Sequence, residues 1–433
     1  MRRLFFMTGL LLLLGLTTYN VKGQNHFVKT VGSHFEINNK PYYFIGANYW
    51  YGPLLASEGE GGNRERLIKE LDFMKSNGIN NLRILVGAEG PDNQPRRVTP
   101  TLQVKQGQYN DTLLAGLDFL LSEMGKREMY AVIYLGNTWD WSGGYSQYLN
   151  WNGKGKIPYL YSHGWNRFKN YDKKFLTNKN SKNAFYNHVK YIVSRTNRYT
   201  GIPYTQDPAI MAWQITNEPR ALAIEKIPTY IQWITKTAAL IKSIDKNHLV
   251  STGSEGKIGC ENDMKLYRRI HANRNIDYLT LHIWPKNWNW IKDKNIPGTL
   301  HKAIVKANAY MLPHFKLGKK LNKPVVVEEF GLPRDHHKYS LSDSTISRDK
   351  FYKDIFNVLL RYAKQKGSFA GCNFWAFGGT ARPLPGQPFW KRGDDLMGDP
   401  PQEEQGLNAV FDTDSTIKLV HKYNSRLKVL LEK

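Results

Sequence analysis

Short, nearly continuous apolar runs punctuate the chain, and longer stretches with helical spacing of apolar positions fill the gaps between them. The runs are rich in β-branched and aromatic residues: YYFIGANYW (42–50), LRILVG (82–87), YAVIYLGN (130–137), IMAWQITNE (210–218), LVSTGSE (249–255), YLTLHIW (278–284), PVVVEEF (324–330) and GCNFWAF (371–377). Apolar residues on successive positions predict strands buried on both faces, as in a parallel sheet flanked by helices. Residues 64–76, 111–127, 183–198, 228–244, 302–321 and 348–366 predict the helices between them, and 415–431 predicts one more after the last strand. Eight strands separated by helices is the count of a closed (β/α)8 TIM barrel, an α/β fold. An open doubly wound sheet would carry a glycine-rich phosphate loop after its first strand, and GANYWYGP does not have that form. No Pro- or Ser-rich linker and no internal repeat divides the chain, so a single domain is expected. Residues 24–41 predict a hairpin closing the bottom of the barrel.

Composition supports a large core: the chain has 433 residues, 41% of them hydrophobic and 13% aromatic. Its N-terminus changes the picture. Arg2 and Arg3 precede the apolar run 4–16, and Val21 and Gly23 stand three and one residues before a cleavage point. That order predicts a signal peptide over 1–23, a mature domain over 24–433, and export to the periplasm or medium. The run is shorter than the roughly 20 residues that span a bilayer, so no stable membrane association is expected once it is removed. Two cysteines, Cys260 and Cys372, exclude a disulfide scaffold; one bridge or two buried thiols both fit. The net charge of +24 is spread without long runs of like charge, which fits a basic solvated surface better than a nucleic-acid site.

In a barrel of this kind function collects at the C-terminal strand ends. Those ends carry Arg83, Asn137 and Trp139, Asn217 and Glu218, His282 and Trp284, Glu328 and Glu329, and Trp375. Carboxylates ending the fourth and seventh strands face each other across the mouth. Paired carboxyls around a sugar-sized gap are the apparatus of glycoside hydrolysis, and Trp faces stack on sugar rings. No metal or cofactor is called for by this set. Trp139, Trp141, Trp288, Trp290 and Trp390 are loop aromatics that could pack locally or hold sugars. The acidic pairs 394–395 and 403–404 read as surface charge.

WQITNEPR, LHIWPKNWNW, VVVEEFG and NFWAFGG, in that order, resemble glycoside hydrolase family 5. NTWDWSGGYSQYLNW, Arg220 and GDPPQEEQGLNAVFDTD are similar to its endo-β-1,4-mannanases. The resemblance runs from about Phe27 to the C-terminus. It implies a monomeric enzyme on β-mannan, with Glu218 as acid/base and Glu329 as nucleophile. It also implies Asn217 on the sugar 2-hydroxyl, Arg83 on the nucleophile, His282 and Trp375 at the cleavage point, and Arg220 on the leaving-group side. Trp284 stands where many relatives have Tyr. Exo-acting β-mannosidases, β-1,4-glucanases and transglycosylases share the two glutamates, and a non-catalytic sugar-binding protein is a more distant alternative.

Strand geometry adds two expectations. Successive strand residues point to opposite faces, so only one of Glu328 and Glu329 should aim inward, leaving Glu328 behind the strand. Asn217 and Glu218 pose the same problem and require a bend. Arg83 should hold the carboxyl of Glu329 low, while Glu218, beside a charged neighbour, should titrate high.

Overall fold

The computed structural model describes residues 27–432. Eight parallel strands form one sheet: β1 (Phe44–Asn48), β2 (Asn81–Leu85), β3 (Tyr130–Tyr134), β4 (Ile210–Gln214), β5 (Leu249–Ser251), β6 (Leu279–Ile283), β7 (Val325–Phe330) and β8 (Phe369–Phe374). Their order around the sheet is β5-β4-β3-β2-β1-β8-β7-β6. Individual bonds rather than a ladder join β5 to β6: Asp277 N donates to Val250 O at 2.8 Å and His282 N to Glu255 O at 3.2 Å. The fold is a single-domain (β/α)8 TIM barrel. Every strand residue is buried, as the continuous apolar runs require.

The principal helices follow the strands: α1 (Arg64–Ser76), α2 (Asp111–Lys126), α3 (Lys179–Val193), α4 (Ile227–Ile244), α5 (Met264–His271), α6 (Ile296–Leu321), α7 (Ile346–Lys364) and α8 (Ser415–Leu431). Side-chain caps from Asn63, Asn110, Asn178, Asp263 and Asn295 start α1, α2, α3, α5 and α6 by accepting first-turn N–H groups. The cap at Asn178 begins α3 ahead of the expected 183. Asn295, with Pro297 in the first turn, begins α6 ahead of the expected 302. Three helices that the spacing of apolar positions does not predict are also present: α5, and Gly144–Trp151 and Leu160–Asp172 of the β3–α3 connection.

The bottom closure is a three-stranded antiparallel meander, Lys29–Val31, His34–Ile37 and Lys40–Tyr42, rather than a two-stranded hairpin. Its Phe35 is fully buried and packs edge-on against Tyr278, the ring centroids being 5.4 Å apart. The expected signal segment 1–23 lies outside the described residues. Among the described residues no helix is long and apolar enough to cross a membrane. Cys260 and Cys372 are both buried and free, which selects the two-thiol alternative.

Candidate active site

The mouth is organised around buried Arg83 on β2. Its Nε donates to Gln214 Oε1 at 2.8 Å, Nη1 to Asn48 Oδ1 at 3.1 Å and to Glu329 Oε1 at 2.5 Å, and Nη2 to Asn217 Oδ1 at 2.8 Å. The guanidinium lies 4.4 Å from the Tyr134 ring centroid. Residues of β1, β4, β7 and the β4 tip are thereby locked to one cation, whose planar fork suits several acceptors at once.

The tip of β4 bends as the sequence requires. Glu218 takes a left-handed backbone, φ 49°, and its N–H donates to Gly253 O at 2.9 Å. A non-glycine residue held there by neighbours on both sides marks a positioned functional group. The turn lets Asn217 and Glu218 both reach the mouth. Glu218 Oε1 accepts from His282 Nδ1–H at 2.6 Å, and Oε2 accepts from Trp139 Nε1–H at 2.5 Å.

The parity expectation for β7 fails. Leu281 pairs with Val327 and His282 with Glu329, so Glu328 is the extra residue of a bulge. A bulge re-aims the side chains around it. Glu328 therefore sits inside the barrel rather than behind the strand: Gln214 Nε2 donates to its Oε2 at 2.7 Å, and Tyr278 Oη to its Oε1 at 3.3 Å.

One oxygen each of Glu218 and Glu329 and a nitrogen of His282 lie within 4.8 Å of one another. His282 Nδ1 is 3.3 Å from Glu329 Oε2. Burial lowers the imidazole's affinity for a proton, but Glu329, Glu218 and Glu328 together hold it up to about 10. A ring protonated on both nitrogens has no lone pair for a metal, although the trio has metal-like spacing.

The expected ionisation order of the two carboxyls is reversed. Burial raises Glu329, aided by the charge of Glu218, and His282 and Arg83 only partly offset it. Burial also opposes ionisation of Glu218, but the His282 hydrogen bond and charge, Arg220 and Trp139 bring it below the usual carboxylate value. The cause is positional: the imidazolium is nearer Glu218 than Glu329.

A cavity of about 280 Å³ opens over the pair. Asn217, Glu218, Glu329, Trp139, Trp284, Trp375 and Arg220 line it. Trp284 stands edge-on to Trp375, centroids 5.9 Å apart. Arg220 Nε donates to Glu255 Oε2 at 2.6 Å and its guanidinium lies 5.3 Å from the Trp139 ring centroid. Arg83 and His282 are fully buried beneath the cavity. Asn137 is not in its wall. Its amide donates to Ser142 Oγ at 3.0 Å and accepts from Trp139 N at 3.1 Å and Asn217 Nδ2 at 3.2 Å, which holds the two neighbours that do line it.

Several wall residues were missed. Glu403 was read as surface charge, yet it lines the cavity, and burial with the charges of Asp399 and Glu329 pushes its carboxyl up to about 8. Asn287 lines it too; of the loop aromatics expected either to pack locally or to hold sugars, Trp141 and Trp288 also line it, whereas Trp390 borders a separate, smaller pocket. Glu255 is the buried partner of Arg220; burial dominates and raises it to about 7. Only its position at the end of the fifth run signalled it. Glu403 stands in the GDPPQEEQGLNAVFDTD motif, but nothing local distinguishes it from a surface carboxylate.

Two facing buried carboxyls, a cationic floor and indole walls at the C-terminal mouth of a TIM barrel define a glycoside hydrolase. The sequence matches the family described as GH family 5 beta-mannosidase-like over residues 25–432. It is 31% identical over 364 residues to mannan endo-1,4-beta-mannosidase 4 of Solanum lycopersicum, covering 81% of this chain and 83% of that protein. Mannan endo-1,4-beta-mannosidase 2 of Arabidopsis thaliana is also 31% identical, over 82% of this chain and 79% of its own. Among solved structures, the glycoside hydrolase family 5 mannosidase of Rhizomucor miehei superimposes with a TM-score of 0.87 at 35% identity, covering 94% of this chain and 99% of that one. A variant of that enzyme has been solved in complex with mannosyl-fructose. The chain belongs to the β-mannosidase-like group of glycoside hydrolase family 5.

Proposed function

We propose that the protein is an exported, retaining endo-β-1,4-mannanase that cleaves mannan, glucomannan or galactomannan. The single observation that carries the mechanism is the approach of Glu218 and Glu329 oxygens to within 4.8 Å. Double displacement needs carboxyls about 5–5.5 Å apart, whereas the inverting route leaves about 6.5–9.5 Å for a water. Glu329, fixed by Arg83, attacks the anomeric carbon as the glycosidic bond breaks, and Glu218 protonates the departing oxygen. The proton comes from the short His282–Glu218 hydrogen bond, which the two groups share. Glu218 then takes a proton from water as that water displaces Glu329 and restores the free carboxylate. Asn217 lines the cavity beside the pair, which supports its binding the 2-hydroxyl, and Trp375 and Trp284 would stack on the sugar. The mannan substrate and the endo mode rest on the names of the curated relatives. Export rests on the charge and hydropathy order of residues 1–23.

One observation favours a second reading, attack from the chain end. The cavity is about 280 Å³ and is walled by Asn287 and Trp288 on one loop and Gln402 and Glu403 on another. That lies just under the roughly 300–1,000 Å³ of ordinary ligand pockets, and long chains need an open groove. Product analysis on mannohexaose separates the two. Internal fragments support endo action, stepwise release of mannose supports the second reading, and no cleavage overturns both. Glu329→Ala should abolish turnover while oligosaccharide binding persists; robust residual hydrolysis would remove its assigned role.

A further inference from the structure

The β7 bulge delivers a third carboxylate to the floor of the site, and nothing in the two-displacement scheme uses it. Glu328 Oε2 is 3.8 Å from Arg83 Nε and 4.0 Å from His282 Nε2. It is therefore the nearest anion to the face of the imidazole that points away from the cavity. The His282 Nε2 atom is buried and makes no hydrogen bond in the structure, and Glu328 itself is 1% exposed. Gln214 and Tyr278 both donate to the Glu328 carboxylate, which fixes its position. The other charged groups around His282 are Glu218 and Arg220 at the β4 tip, Glu255 at the end of β5, Arg83 on β2, and Glu329.

We propose that Glu328 is a positioning residue that acts through His282: its buried negative charge keeps the proton shared by His282 and Glu218 on that pair and orients the ring so that Nδ1 faces the catalytic carboxyls. Gln214 and Tyr278 hold Glu328 in place, and Glu328 never touches the sugar. Removing an anion makes every neighbouring acid give up its proton more readily, wherever in the pair the proton sits. The alkaline limb of activity, where the pair loses that proton, then moves to lower pH.

This inference rests on the two-glutamate reading above. The test is the pH profile of kcat/KM on a mannooligosaccharide for Glu328→Gln, which preserves shape and removes charge, and Glu328→Asp, which keeps the charge but draws it back from the ring. The expected order of the alkaline limb is wild type, then Asp, then Gln at the lowest pH, with Gln displaced by about one unit. For Gln, kcat should fall about tenfold at a pH above the wild-type alkaline limb and much less at neutral pH, while KM changes less than about threefold, because the sugar contacts are untouched. If Glu328→Gln does not fold, a displaced limb in Glu328→Asp supports the proposal and an undisplaced one overturns it. Folded variants that share the wild-type limb overturn it, even if they are slower or melt earlier, since a merely structural carboxylate would lower stability without moving the profile. Failure of the underlying reading looks different: Glu329→Ala would remain active whatever the Glu328 variants do.

Discussion

Trp139 joins two tasks in one side chain. Its ring lines the cavity while its N–H donates to Glu218 Oε2, a bond that stabilises the ionised carboxyl and helps lower its pKa. Trp139→Phe keeps an aromatic face and removes the donor, so the carboxyl should bind its proton more tightly. The alkaline limb of kcat/KM should then move up by about half to one pH unit, the direction opposite to that for Glu328→Gln. A limb that stays in place would show that the bond does not set the acid. At this scale the sequence showed which residue types gather at the mouth but not where each one points. Glu328 escapes the two-residue period of a strand through a bulge that leaves no local signature such as Gly, whereas the adjacent Asn217 and Glu218 called for the turn that the left-handed Glu218 supplies. The same limit reversed the ionisation order, because it turns on whether an imidazole is 2.6 Å or 3.3 Å from a given oxygen.

The elements themselves were far more legible. Buried parallel strands announce themselves as unbroken apolar runs, and each of the eight is found where its run stands. The runs overestimated strand length at their C-terminal ends, since 249–255 contains only Leu249–Ser251 as strand. Those ends are where ladder pairing gives way to the turns that shape the site. Helix α5 was missed because its 8 residues are too few to establish a period, and the β3–α3 helices because aromatic and polar residues obscure theirs. One such turn gives a prediction. Gly253 has φ 79°, its carbonyl accepts the Glu218 N–H, and a Cβ there would stand 2.0 Å from the backbone oxygen of Thr216. Gly253→Ala must shift the β4 tip, costing about 2 kcal/mol or more of stability and lowering kcat together with it. A thermal melt and a kcat measurement on the same sample check this; a loss in only one of the two would uncouple the turn from the site.

Across the whole molecule the charge is the most visible sequence feature and the least connected with the proposed reaction. A neutral polysaccharide releases no counterions on binding, so KM for mannan should change less than about twofold between low and high salt. A steep salt dependence would point to an anionic polymer as substrate. Cys260 and Cys372 are separately buried with no bridge, so a thiol reductant should leave the melting temperature unchanged, whereas a fall would reveal a disulfide in the folded protein.

Between β5 and β6 the staves are joined by scattered bonds, while the other seven contacts are paired ladders. Such a cylinder has a seam. Breathing of the barrel should begin along it, and the amides of Asp277 and His282 should exchange their hydrogens for deuterium ahead of those in the middle of β7 and β8. Because the imidazole sits on that edge, mild heating would disturb the proton donor before the attacking carboxylate, and turnover should fade before the fold does.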